Sequence, residues 1–265
     1  MHFKVGFSSY AVIWLFFIIM LESCSMSYYT PNAQNVPLND EKLEGGANLS
    51  FQKGLYSRGL NLQTAFSPVN HFGILLNYHY FSATYSYTSS NFFTGVSNTD
   101  EGEVKRNFVE MGMGYYIKFQ EKFVFEVYGG MGWGNSNFEN HGDTYYNINH
   151  IRGKLTDNRY FLQPAIGWIL SEHFELAFSN RFCLLNYKDL ILRGGSEINV
   201  YELLRVDDNP LFLIEPAVTL RVGGKNIKFQ YQFCFSNYIG NFNGYYDPLA
   251  MSFALFFRVN SKDKK

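Results

Sequence analysis

The chain has 265 residues, 46% of them hydrophobic and 19% aromatic, with a formal net charge of −1. That charge gives no electrostatic case for a nucleic-acid partner, and three cysteines are too few for a disulfide framework. A mean hydropathy of −0.16 excludes a helical membrane protein but fits a membrane β-barrel, in which only every second strand residue faces lipid.

Residues 1–23 have the layout of a cleaved secretory signal. Lys4 supplies a positive start, and Ala11 to Leu21 form an unbroken apolar run of signal length. Even extended back to Val5, the run barely reaches the roughly 20 residues a membrane helix needs. Leu21-Glu22-Ser23-Cys24 resembles a bacterial lipobox. The resemblance implies a diacylglycerol on the Cys24 thiol, cleavage before Cys24, and an acyl chain on the new amine. No other cofactor and no metal is expected. Residues 24–43 are polar and hold Pro31, Pro37 and several Asn, so they read as an extended tether.

From residue 44 to 259 the pattern is period two, not helical. In 227–236 one parity reads Ile227, Phe229, Tyr231, Phe233, Phe235, and the other Lys228, Gln230, Gln232, Cys234, Ser236. Ten such segments recur: 44–51, 56–66, 71–81, 104–118, 123–136, 158–170, 173–187, 210–222, 226–238 and 248–259. Tight turns at 67–70, 120–122, 171–172 and 223–225 alternate with longer connections at 81–103, 137–157, 188–209 and 239–247. This predicts an all-β, antiparallel up-and-down transmembrane β-barrel of about ten strands in the outer membrane of a Gram-negative bacterium. A polar tail, 260–265, follows it. An even strand count puts both ends of the barrel at the periplasmic, short-turn side, and a lipidated Cys24 with them, in the inner leaflet.

A soluble sandwich or lipocalin-like barrel would alternate too. Here the polar parity is rich in Gly112, Gly114, Gly130, Gly132, Ala165 and Gly167, as crowding inside a narrow barrel requires. Pro164 and Pro216, in similar contexts mid-segment, remove ladder hydrogen bonds and are expected at bulges. Parity points Glu110, Glu126, Glu175 and Glu215 inward with Lys118, Arg181, Arg221 and Lys228; His79 joins them and Arg258 lies at the rim. Ten strands at ~4.8 Å spacing and ~40° tilt close at a radius of roughly 10 Å, which inward side chains nearly fill. The expected lumen is therefore plugged and ion-paired. Cys183 and Cys234 face inward with a strand between them, roughly 9–10 Å apart and beyond disulfide reach.

Catalytic patterns are incomplete. Phe235-Ser236-Asn237 resembles the lipid A deacylase segment, whose base is a His two residues before the Ser; here that residue is Cys234. Ser179-Asn180 has Ala177 there. Omptin-type proteases need paired Asp and an Asp-His couple; Asp207, Asp208, His141 and His150 lie in long loops without a fixed spacing. The loops 85–103 and 137–150, rich in Tyr, Asn, Ser and Gly, suit an extracellular ligand.

The lipobox, the stretch Tyr29-Thr30-Pro31-Asn32 to Asn35-Val36-Pro37-Leu38, and the amphipathic hairpins after it together resemble small outer-membrane barrel lipoproteins of Bacteroidetes-type bacteria. The resemblance implies a location and no reaction. The expected function is a non-enzymatic barrel lipoprotein in contact with outer-membrane lipid, with structural or recognition loops. A narrow channel and a lipid-modifying hydrolase are the alternatives.

Overall fold

A computed structural model describes residues 29–90, 97–144, 147–193, 210–239 and 246–259. The expected signal, residues 1–23, Cys24 and the tail 260–265 lie outside the described residues. The strands are β1 (Gly45–Gly54), β2 (Ser57–Val69), β3 (Phe72–Ser90), β4 (Ser97–Phe119), β5 (Phe123–Thr144), β6 (Asn147–Ser171), β7 (Phe174–Arg193), β8 (Leu211–Gly223), β9 (Ile227–Phe235), β10 (Asn237–Ile239) and β11 (Leu249–Val259). Strands β1 to β8 pair antiparallel in sequence order, β8 pairs with both β9 and β10, and β11 pairs with β9 and with β1 to close the ring. β9 and β10 keep one register against β8, Ala217 with Cys234 and Ile214 with Asn237, so they are one strand interrupted at Ser236. The result is a closed ten-stranded transmembrane barrel of the outer-membrane type.

The prolines explain two gaps in the ladder. The register between β8 and β9 sets Pro216 opposite Phe235, where Pro has no N–H to give, and the ladder lapses there. At Pro164 the pairing to β7 skips from Leu162–Phe182 to Ala165–Ser179 without a change of register. The expected bulges are absent at both; the strands keep their phase and omit the bonds.

The outer face is an apolar belt. On β4, Val109, Met111, Met113, Tyr115, Ile117 and Phe119 are all exposed. Ten residues of rise at ~3.3 Å and ~40° tilt make a band roughly 25 Å tall, the height lipid requires. Stacked Phe119, Phe123 and Trp168, with ring centroids 5.5 and 5.6 Å apart, mark its short-turn edge.

Strands β3 to β7 run further toward the long-loop end than the sequence segments do. The phase of the alternation inverts there. Outward positions turn polar at Asn107, Asn135 and Asn158, while inward ones become Phe81, Val104, Phe138, Leu155, Leu185 and Tyr187, a buried apolar cluster. Below the boundary the barrel is polar inside and apolar outside; above it, solvent surrounds the wall and the ordinary arrangement returns. The mouth is therefore slanted, high along β3–β7 and low at the β1–β2 turn and the start of β11.

Met113 sits mid-belt and 64% exposed. Met113→Arg should cost about 2–4 kcal/mol in urea unfolding from liposomes, whereas Lys105→Ala, above the belt, should leave the midpoint unchanged.

Candidate functional site

The lumen is occupied by the chain itself. Residues 29–39 are buried throughout and run extended down the barrel axis. Tyr29 stands at the long-loop end, where its backbone forms a parallel bridge with Tyr246 and its carbonyl accepts the Asp247 amide at 2.8 Å. Leu43 reaches the short-turn end, donating its amide to the Ser67 carbonyl at 2.6 Å. The stretch expected to be a tether at the short-turn side thus crosses the barrel from the opposite mouth.

A strand-like segment without a strand neighbour must find other partners for its peptide groups. Wall amides supply them, because a primary amide offers the same donor and acceptor as a peptide. Gln232 accepts the Gln34 amide at 2.6 Å and donates to the Gln34 carbonyl at 2.9 Å. Gln52 donates to the Pro31 carbonyl at 2.8 Å and accepts the Ala33 amide at 3.2 Å. Gln63 donates to the Ala33 carbonyl and Gln163 to that of Asn35. Guanidiniums take further carbonyls: Arg181 reaches that of Asn32 at 2.9 Å and Arg221 that of Val36 at 2.5 Å.

The charges form two layers, each of three bases and three acids. Toward the long-loop end, Arg106 grips Asp157 through two hydrogen bonds, Arg159 pairs with Glu110, and Arg181 lies 2.6 Å from Glu215 and 3.6 Å from Glu110. Phe108 lies between the Arg106 and Arg159 guanidiniums, each 4.3 Å from its ring. Tyr29 joins this layer by donating its hydroxyl to Glu215 and accepting from Arg159. Toward the short-turn end, Arg221, Lys228 and Arg258 surround Glu175 at 3.2, 3.6 and 2.7 Å. Glu126 accepts the Leu38 amide at 3.1 Å, and Glu44 meets Arg258 at 3.3 Å. Buried charges are tolerated when paired and hydrogen-bonded, as the Arg–Glu, Arg–Asp and Lys–Glu pairs here are.

Parity therefore places Glu110, Glu126, Glu175, Glu215, Arg181, Arg221 and Lys228 in the lumen, all buried. It does not bring Lys118 to them: that side chain is 35% exposed at the rim and pairs with Asp40. Glu126 serves the plug backbone. Arg106, Arg159 and Asp157 were missed, although Arg106 and Arg159 carry the inward parity of their own segments. His79 is buried with both ring nitrogens unpartnered among the described residues. Cys183 and Cys234 are free and buried. Ser236 donates to Glu215 at 3.2 Å, and the Ser179 hydroxyl is buried without a partner among the described residues.

Small wall residues make room for the segment. Val36 and Leu38 pack against Val124, Ala165 and Ala177, and a Cβ on Gly167 would stand 2.2 Å from a Leu38 methyl.

No protein-family model matches this chain, and no curated protein does. Solved structures similar to it include the translocator domain of the autotransporter NalP from Neisseria meningitidis, at 10% identity and TM-score 0.45, covering 84% of this chain and 89% of that one. The outer-membrane protease OmpT from Escherichia coli is similar at 9% identity and TM-score 0.43, covering 82% and 94%. Ail, the attachment invasion locus protein of Yersinia pestis, is similar at 11% identity and TM-score 0.29, covering 82% and 95%. These likenesses concern the barrel shape alone.

Arg181→Ala would leave Glu215 buried and unmatched, so it should cost about 3–5 kcal/mol in urea unfolding. At the rim, burial pushes the Glu44 carboxyl from 4.5 up to about 7, against the pull of Arg258 and the Asp40 amide. The folded barrel then holds this proton more tightly than the unfolded chain. Its contribution is fully present below the unfolded value and is lost as pH rises through the folded one. The unfolding midpoint of the wild type relative to Glu44→Gln should therefore decline between pH 4.5 and about 7 and level off above. A constant difference across that range would contradict this.

Proposed function

We propose that this chain is a sealed outer-membrane barrel lipoprotein, acylated at Cys24, that acts at its long-loop face and not by conducting solute through its lumen. The observation that carries the reading is the occupied lumen. Residues 29–39 fill the axis and turn the wall's amides and charges onto themselves. A solute would have to displace a segment held by many hydrogen bonds, each contributing about 1 kcal/mol net. The apolar cluster above Tyr29 closes the lumen further on the high side.

A non-enzymatic role is consistent with charges that are matched to one another instead of being aimed at an open cleft. The hairpins β3–β4 and β5–β6, rising beyond the belt with polar outward faces, are the natural place for a structural or recognition role.

In planar bilayers the purified wild type should show no stable conductance, and deletion of residues 29–39 should produce one. Discrete channels from the wild type would overturn the sealed-barrel reading and favour the narrow channel. Cys24→Ser should abolish acylation, seen as loss of fatty-acid labelling, yet leave the barrel in outer-membrane fractions. Release of that variant into the periplasm would contradict a domain that spans the membrane by its own strands.

A further inference from the structure

We propose that the mature amino terminus emerges at the long-loop mouth, so that Cys24 and the acyl chains it carries stand on the cell-surface side, at the low rim formed by β1, β2 and β11. The modification of Cys24 rests on the lipoprotein reading above; the direction of the chain does not.

Three observations fix the direction. Tyr29 is held at the long-loop end by the Asp247 amide and by the Arg159 and Glu215 side chains, while the Thr30 hydroxyl accepts from Ser57 at the first residue of β2. Its bridge to Tyr246 is parallel. Tyr246 leads into β11, which descends from the long-loop end, so Tyr29 enters the lumen in the same downward sense and its amino side faces the long-loop mouth. The third is the low rim itself. Asp247 accepts the amides of Leu55 and Tyr56 at 3.1 Å each and the Ser57 hydroxyl at 2.8 Å, which ties the β1–β2 turn down beside Tyr29.

Chain length excludes the opposite placement. Cys24 is five residues before Tyr29, a reach of at most ~18 Å. The short-turn rim lies about 25 Å away across the membrane, and the lumen between is already filled. Cys24 cannot return to the periplasmic face even if those residues are fully extended. On the low side, Leu60 and Leu62 of β2 mark lipid-facing surface close below the turn, so acyl chains on Cys24 enter the outer leaflet there. The chain would then be anchored from outside and not from the inner leaflet, as the strand count alone suggests.

The test is labelling of intact cells with a membrane-impermeant maleimide. Ser27→Cys is introduced in the full chain, both with Cys24 present and in the Cys24→Ser background. Glu101→Cys, on the outer face of β4 above the belt, marks the surface side. Lys122→Cys, in the β4–β5 turn, marks the periplasmic side. Cys183 and Cys234 are buried and serve as silent positions. Ser27→Cys should label in intact cells like Glu101→Cys, while Lys122→Cys should label only after permeabilisation. Failure of Ser27→Cys to label in intact cells, with Glu101→Cys labelled, overturns the inference. Mass spectrometry of the amino-terminal peptide reports acylation separately. A labelled but unacylated chain keeps the direction and removes the lipid.

Discussion

A peptide group placed in a narrow lumen has no water to satisfy it and no strand beside it. The architecture of this barrel depends on solving that constraint for residues 29–39. Side-chain amides take the part of a neighbouring strand: Gln52 and Gln232 each donate and accept against the segment's backbone. Guanidiniums that already serve acids in the wall extend to further carbonyls, as Arg181 does to Asn32 and Arg221 to Val36. Removing the segment would strand those partners, so plug and wall form one polar core.

That core explains other choices in the wall. Each layer holds three bases and three acids, and each places an aromatic ring against two guanidiniums, Phe108 in one and Phe256 in the other. Gly167 is small because Leu38 lies over it. The closed ring of strands also means that the segment cannot enter from the side; the barrel must close around it or receive it end-on. Either route links placement of residues 29–39 to assembly of the strands.

The ten-strand barrel was legible in the sequence because lipid imposes a period-two pattern with a fixed hand, and inward parity gave most of the charged lumen. Past the belt the pattern fails, since solvent replaces lipid and the phase inverts. Segments ending at Phe81 or beginning at Val104 and Asn158 therefore stop short of strands that continue. The role of residues 29–39 was hidden for a different reason. The segment has no periodicity of its own because every side of it is buried in protein. Its signature is spread over the wall, in inward Gln52, Gln63, Gln163 and Gln232, which look like ordinary lumen polarity until the segment is seen against them.

The most direct test of the central claim is backbone hydrogen exchange of the folded barrel, resolved to the peptide covering residues 29–39. Protection comparable to that of β1 and β11, and lost only when the barrel unfolds, is the result this account predicts. Exchange of that peptide as fast as an unstructured chain, while the strands remain protected, would contradict it.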